Sequence, residues 1–460
     1  MIGSMQFSAL VNALGATAHG GDCEFSVLST DSRKMPAGAV FLALAGEHFD
    51  GNNYVSAAVA AGACGAIVSR LAEVHIPQLL VRDTLAALLT IAQLNRQRSS
   101  AHFVAITGSQ GKTTVKEMLG SILRQRDEVL VTRGNLNNRI GVPLTLLELT
   151  EMQRYAVIEL GANMAGEIAD TAGITAPQVV VLTNASPTHL SGFGDLDGVV
   201  EAKGEIIDGC APDGTVILNA DDAAFMVWKQ RAGARRVQSF GLQSATRRAD
   251  YRAEQIKPLA AGSQFMLASP QGRQRIRLSL PGKHNVANAL AAAAAAIESG
   301  ATLSDVAAGL ALMQPVPGRL AQSRCIGGAL LIDDSYNASP ASMRAAIDVL
   351  MTLSIERDAG SMLIAGDMAE LGEEEVLLHR QCGEYAREQG VAQLACVGPL
   401  AAAMADAYGD GALHFADQAS LLAWAMEEIT ENRVVLVKGS RSAGMDRIVA
   451  ALKQGDETAC

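Results

Sequence analysis

The stretch Ala105-Ile-Thr-Gly-Ser-Gln-Gly-Lys-Thr-Thr114 decides how the chain is read. It begins as the end of a short apolar run, His102-Phe-Val-Ala-Ile106, which has the length and composition of a buried strand. After Lys112 the apolar positions change to helical spacing, with Val115, Met118, Leu119, Ile122 and Leu123 on one face. A strand, a glycine-rich turn and a helix in that order form a cradle for phosphate. Gly108 and Gly111 let backbone N–H groups approach an anion closely, and the helix N-terminus adds partial positive charge. Within the loop, Ser109 and Gln110 lead to Lys112, which can reach β- and γ-phosphates; Thr113 offers a hydroxyl to Mg²⁺, and Thr114 continues the turn. The broad phosphate-loop pattern wants a glycine where Ile106 stands, so the loop is a shortened form. The reading is an ATP-binding site.

Outward from this loop the chain keeps repeating strand, loop and helix. Apolar runs at 155–159, 178–182 and 215–218 predict further strands, and their spacing implies a parallel sheet with right-handed crossovers. Between 240 and 280 the rhythm breaks into alternating pieces such as Arg273 to Leu280, which predicts a small antiparallel addition. Upstream, runs at 40–44, 65–68 and 78–81 with a helix over 53–61 predict a small α/β unit, followed by a helix over 84–98. Pro315-Val-Pro-Gly-Arg319 interrupts both helix and strand and marks a boundary. Beyond it, runs at 330–333, 361–365, 393–397 and 433–437 form another α/β series. Three α/β units are expected, over 1–83, 84–315 and 316–460.

The 460 residues fit two or three domains, and 49% hydrophobic content with 18% charge argues against disorder. A net charge of −11 disfavours sequence-independent nucleic-acid binding, so positive charge for a polyanion must be supplied locally. The seven cysteines form no C-x-x-C pair and read as reduced thiols. No signal peptide is apparent, and the alanine run 289–297 is too short to span a membrane. A cytoplasmic protein without membrane insertion is expected.

Ligands of open α/β sheets sit beyond the carboxyl ends of strands. Glu159 ends a buried apolar run, where an unpaired charge is costly. It reads as a Mg²⁺ ligand or as a salt-bridged carboxylate. His189 follows the next strand and could contact metal or phosphate. Asn137 and Asn138 offer amides near the same rim, or simply form a turn. Lys203, between Glu201 and Glu205, reads from the residues alone as a solvated lysine. His284, Asn285 and Asn288 start the alanine-rich helix and could read a base or ribose. Polar loops containing Asp334, Tyr336 and Asn337, then Gly366 to Gly372, then Lys438, Ser440 and Arg441, follow three strands of the last unit. With Arg319 they could close over ATP and a second substrate.

Taken together, these motifs resemble the Mur ligase family, which builds the peptide of bacterial peptidoglycan. The resemblance covers nearly the whole chain: Thr107 to Thr114, Ile158-Glu159-Leu160-Gly161, His189, Lys203, His284 to Asn288 and Pro317-Gly-Arg319. The family uses the shorter loop, which accounts for Ile106. Asp334 to Met343, Gly366 to Gly372, Lys438 to Arg441 and Gly134 to Pro143 resemble the member that adds the terminal dipeptide. Ser339 departs from that member's more frequent asparagine. The Asp-Asn-Pro-Arg motif of the ligase adding the third residue is absent.

The resemblance implies an ATP-dependent amide ligase joining D-alanyl-D-alanine to UDP-N-acetylmuramoyl-tripeptide through an acyl phosphate. It implies that Lys112 and the loop hold ATP, that Thr113 and Glu159 share one Mg²⁺, and that His189 helps hold a second. Lys203 would be the family lysine carbamylated by CO₂, supporting that second metal. Asn288, Arg319 and Asp334 would contact the nucleotide. Ser32, Arg33, Asp50 and Gly51 would belong to a UDP-sugar site. A monomer is expected. The alternatives are another amide ligase of the family, such as the one adding the third residue or a folylpolyglutamate synthase, a phosphate-loop NTPase without ligation, or a non-catalytic UDP-sugar-binding homologue.

Overall fold

In the computed structural model the described residues are 1–46, 49–188, 190–242, 249–259 and 262–453. The phosphate-loop strand His102–Thr107 lies inside a nine-stranded sheet. On one side it pairs in parallel with Tyr155–Glu159, which pairs in turn with Val129–Val131. On the other it pairs with Val179–Leu182, followed by Thr215–Asn219, Arg236–Gly241 and Tyr251–Leu259, all parallel. The chain therefore crosses from one flank of His102–Thr107 to the other, and that switch opens a crevice above its carboxyl end.

The expected antiparallel addition is present as Tyr251–Leu259, Gly262–Ser269 and Gly272–Leu278. It continues the same sheet rather than forming a separate one. The helix Lys112–Leu123 packs its predicted apolar face into a core with Val104, Ile106 and the alanine-rich helix Lys283–Glu298. Ala289 to Ala296 are all buried there; small side chains let two helices and a sheet approach without voids.

The amino-terminal unit carries a five-stranded sheet. Leu28–Ser29, Val40–Leu42, Gly65–Val68 and Gln78–Leu80 run parallel, with Thr17–His19 antiparallel at the edge. The helix predicted over 53–61 is split into a 3₁₀ turn, Gly51–Tyr54, and a short helix, Val55–Ala60. Asp50 caps the 3₁₀ turn by accepting from Asn52 N at 2.9 Å, which tightens its first residues.

The carboxyl-terminal sheet has the order Ala321–Arg324, Leu330–Asp334, Arg433–Lys438, Gly360–Gly366, Gln393–Val397, Ala412–Phe415. Only its first strand is antiparallel. The last strand in the chain inserts between the first two parallel ones, so the loops after Asp334, Gly366 and Lys438 share one rim. No helix among the described residues is long and apolar enough to cross a membrane.

Candidate active site

The rims of the central and carboxyl-terminal sheets face each other across a cleft of about 840 Å³. On the central side the loop is fixed by its neighbours. Asn184 accepts from Gln110 N through its side chain at 2.9 Å and from Ser109 N through its carbonyl at 2.9 Å. Thr183 Oγ1 donates to Gln110 O at 2.5 Å. A methyl group on Gly108, at φ +144°, would run into that hydroxyl, and one on Gly111, at φ +80°, into the side chain of Asn288. Both glycines are therefore demanded by backbone conformation and by space. Lys112 Nζ lies over the loop, donating to Gly108 O at 2.6 Å and Ser109 O at 3.3 Å. Burial pushes its pKa below the usual lysine value, opposed by Glu159 and assisted by Arg319.

Glu159 is 2% exposed at the end of its strand and lines the cleft. Its Oε1 accepts from Asn137 Nδ2 at 2.7 Å, whereas Oε2 has no hydrogen-bond partner. Behind it stands Lys116, fully buried, 3.9 Å from Oε2 and donating to Thr132 O at 2.7 Å. A buried carboxylate oxygen without a hydrogen-bond partner, on a residue that lines the cleft, fits a hard cation, as does the hydroxyl of Thr113 on the same cleft. Magnesium needs only one or two such protein ligands beside phosphate oxygens, so the donor set fits Mg²⁺.

Lys203 is not solvated, contrary to its reading from the residues alone. It is 1% exposed, with Nζ 3.5 Å from Ala162 O and 5.0 Å from the centre of the Phe193 ring. The reason is the helix Leu196–Asp208: Ala202, Lys203, Ile206 and Ile207 share its buried face, while Glu201 and Glu205 turn outward. Glu205 is used instead to accept from Gly166 N and Ala169 N. Burial first, and then Lys112, lower the Lys203 pKa against the opposing pull of Glu205 and Glu167, to about 7.

The facing wall belongs to the carboxyl-terminal unit. Arg319 Nη2 donates to Thr113 Oγ1 at 3.0 Å, and its guanidinium lies 4.4 Å from the Tyr336 ring centre. Arg441 lies 5.4 Å from the same ring. Lys438, buried, donates to Asp334 Oδ2 at 2.5 Å and to Asn337 O at 2.9 Å. Burial raises the Asp334 pKa against the pull of Lys438. His284 is driven down to about 4, by burial first and then by Lys438. A second bridge crosses the cleft from Gln110 Nε2 to Ser339 Oγ at 2.9 Å. Ser339 also caps the helix Pro340–Glu356 in a capping box with Ser342, and proline at its first turn suits that start.

The cleft thus gathers Ser109 to Thr114, Asn137, Asn138, Glu159, His284, Asn285, Asn288, Arg319, Asp334, Tyr336, Asn337, Lys438, Ser440 and Arg441. Lys203 sits just behind its wall. Ser32, Arg33, Asp50 and Gly51 do not line it; they lie on the rim of the amino-terminal sheet, where Arg33 forms a two-point pair with Asp31. His189 lies outside the described residues. Sequence reasoning passed over Lys116, Thr183 and Asn184. The last two stand directly after a strand beside the loop, a signal that was present; a lysine on a helix four residues after Lys112 carries none.

Family models match three parts of the chain: the Mur ligase family catalytic domain over 24–125, the Mur ligase middle domain over 106–296 and the Mur ligase glutamate ligase domain over 318–441. The UDP-N-acetylmuramoyl-tripeptide–D-alanyl-D-alanine ligase of Escherichia coli K12 is 44% identical over 98% of this chain and 99% of its own. The ligase of the same name from Bacillus subtilis is 33% identical, over 92% of each. A crystal structure of MurF from Acinetobacter baumannii superposes with a TM-score of 0.91 at 37% identity, covering 98% of both chains. MurF of Thermotoga maritima in complex with ADP superposes at 0.82, with 25% identity over 92% of this chain and 96% of that one.

Proposed function

The chain belongs to the Mur ligase family, and from that premise we propose that it joins D-alanyl-D-alanine to UDP-N-acetylmuramoyl-tripeptide at the expense of ATP. The observation that carries the reading is one cleft that joins a phosphate loop, a buried carboxylate with an oxygen that has no hydrogen-bond partner and the cationic rim of a second unit. The units over 1–83, 84–315 and 316–460 are proposed to serve UDP-sugar binding, ATP binding and ligation respectively.

In this reading Lys112 and the loop amides orient the triphosphate, and Arg319 and Asn288 hold the nucleotide across the gap. His284, kept neutral, and Asn285 shape the nucleoside end, beside Asp334. Thr113 and Glu159 would hold one Mg²⁺, and His189 a second. When bound, the metal supplies charge that reduces repulsion between a carboxylate nucleophile and the triphosphate. The tripeptide carboxylate attacks the γ-phosphorus, ADP leaves, and the dipeptide amine displaces phosphate from the acyl phosphate. Closure of the two walls, bridged by Arg319–Thr113 and Gln110–Ser339, excludes water that would hydrolyse it.

Lys203 is proposed to be carbamylated. A lysine with a pKa near 7 presents a neutral amine at mildly alkaline pH. Its nitrogen can add to CO₂ and lose a proton, which replaces a buried cation by a carboxylate on the metal side of the cleft. Ser32, Arg33, Asp50 and Gly51 are proposed to meet the UDP-sugar, and Asn137, Asn138, Tyr336, Asn337, Lys438, Ser440 and Arg441 the peptide substrates.

The test is phosphate release with ATP, Mg²⁺, UDP-muramoyl-tripeptide and D-alanyl-D-alanine, with each omitted in turn. Release that needs all four, with a product heavier by the dipeptide less water, is expected. Release that ignores both peptides would leave an NTPase. Activity with a different amine alone would replace the member within the family.

A further inference from the structure

Two thiols of the amino-terminal unit lie in contact. The cysteines among the described residues are all free. Cys23 Sγ stands 3.3 Å from Cys64 Sγ, although 41 positions separate them in the chain. Cys210 and Cys382 instead point their sulfurs at backbone carbonyls, those of Gln178 at 4.0 Å and Pro340 at 3.9 Å. A disulfide bond is about 2.0 Å long, so the two sulfurs need to close by only about 1.3 Å. Modest rotations about the two Cα–Cβ bonds cover that distance.

The elements on either side set this contact. Cys23 is 8% exposed and shares the core of the unit with Phe7 and Phe25. Its carbonyl accepts from Phe7 N at 3.0 Å, and Asp22 beside it accepts from Ser8 N at 3.0 Å and Ser8 Oγ at 2.6 Å. The segment around Cys23 therefore holds the start of the helix Phe7–Leu14. Cys64 leads into Gly65–Val68, the central strand of the five-stranded sheet. Its backbone N donates to Ala39 O at 3.0 Å, and its thiol to Gly38 O at 3.1 Å. Residue 65 has to be small for the sulfurs to meet. A Cβ on Gly65 would stand 3.0 Å from Cys23 Sγ and 3.0 Å from the Phe7 ring.

The two thiols differ in access. Cys64 is half-buried, and is the one that a small solute reaches. Burial, then the contact with Cys64, raise the Cys23 pKa well above the usual thiol value, and Asp22 adds to the shift. Thiolate is the reactive form, so a buried sulfur that resists ionisation is a poor first nucleophile. It can still attack a neighbour that has already been oxidised, because that neighbour is held against it.

We propose that Cys23 and Cys64 form a redox site that a hydroperoxide oxidises to a disulfide, stapling the amino-terminal segment to the central strand of its sheet. Cys64 gives its proton to solvent and its sulfur attacks a peroxide oxygen. The S–O bond forms, the O–O bond breaks, and the departing hydroxide takes up a proton, which leaves a sulfenic acid. The Cys23 sulfur then attacks the Cys64 sulfur. The S–S bond forms, the S–O bond breaks, and hydroxide leaves with the Cys23 proton as water. Two thiols lose two electrons, and one hydrogen peroxide becomes two waters. The staple lies at the amino end of Gly65–Val68, whereas the rim with Asp50 and Gly51 lies at the carboxyl end, where Ser69 N donates to Asn52 Oδ1 at 3.1 Å. Oxidation therefore stabilises the unit and leaves that rim in place.

The test is treatment of the reduced full-length chain with hydrogen peroxide, then alkylation of the remaining thiols with N-ethylmaleimide in denaturant and peptide mass spectrometry. A peptide joining Cys23 to Cys64, lighter by two hydrogen atoms than its reduced halves, is expected, and dithiothreitol should restore both thiols. The thermal midpoint of the oxidised chain should lie about 5–10 °C above that of the reduced chain, because the cross-link closes a long loop of the unfolded state. Cys64→Ser should remove both effects. The unaltered chain, oxidised against reduced, gives the same answer without relying on a variant that folds. Both thiols still alkylated after peroxide would overturn the proposal. So would Cys64 carried on to sulfinic acid beside an alkylated Cys23, a disulfide from either to any other cysteine, or a Cys23–Cys64 bond that leaves the midpoint unmoved.

Discussion

Replacing Lys203 by methionine is expected to stabilise the protein, and to do so most at low pH. Methionine keeps the length of the side chain and removes its charge. In the native fold the Lys203 ammonium has one long contact, 3.5 Å to Ala162 O, and the face of Phe193. Its pKa falls from 10.5 to about 7, mainly through burial. That fall corresponds to roughly 5 kcal/mol against the charged form. Relaxation and water entry reduce such penalties, so an effect on the order of 2–4 kcal/mol is expected at pH 6. The sign follows from proton counts. Between pH 7 and 10.5 the unfolded chain holds a proton that the folded chain has released, so native stability rises with pH through that window. Below pH 7 both states are protonated, and the full cost of the buried charge remains. The advantage of Lys203→Met should therefore shrink by about 1.4 kcal/mol per pH unit above 7. Urea unfolding at pH 6, 7, 8 and 9 in CO₂-depleted buffer measures it. The fluorescence of Trp228, buried against Val200 on the same helix as Lys203, reports this region. Bicarbonate should stabilise the unaltered protein and leave the methionine variant unchanged. A variant less stable at pH 6, or a difference that does not vary with pH, would refute the reasoning.

Lys112→Ala should lower ligation turnover by about 10²–10³, the scale for one preorganised charge-stabilising donor, while circular dichroism stays unchanged; near-normal turnover contradicts the role. Gly108→Ala should abolish ATP binding in calorimetry, because the added methyl meets Thr183 Oγ1 and φ +144° resists a side chain. His284, driven down to about 4, should show no ring titration above pH 5 by NMR, and its neutral form should persist across the working range of the enzyme.

Much of this fold could be read before the structure because its strands obey periodicity. The runs at 65–68, 155–159 and 393–397 match observed strands end to end, each an apolar segment with at most one polar residue, at its end. The helix over 53–61 was less legible because Asp50 imposes a local 3₁₀ turn through its side chain, which periodicity does not register. In the site, loop glycines and Glu159 announce themselves: one needs positive φ, the other is a charge at the end of an apolar strand. Lys203 misleads, since acids two residues to either side suggest solvent, yet on a helix those acids point away from it. Lys116 is less visible still. Its burial depends on the sheet beneath its helix.

The distribution of counter-charge shows which cations belong to the fold and which are kept for a ligand. Lys438 is matched by Asp334 at 2.5 Å, and Lys116 by Glu117 at 3.0 Å. Each pair is internally balanced, and each can act as a strut whether or not anything occupies the cleft. Lys112 and Arg319 differ: the ion pairs of the described residues include neither. Lys112 rests on two carbonyl dipoles and Arg319 on a hydroxyl and a ring. A partly buried cation held only by dipoles is less stable than one facing an anion. In a chain of net charge −11 carboxylates are not scarce, so leaving these two without one concentrates positive potential where it is otherwise diluted. A polyphosphate entering the cleft relieves both at once, one from each wall. If the proposed roles of Lys112 and Arg319 hold, nucleotide binding favours the arrangement in which the walls meet, and the two side chains that would recognise the triphosphate also draw the two units together.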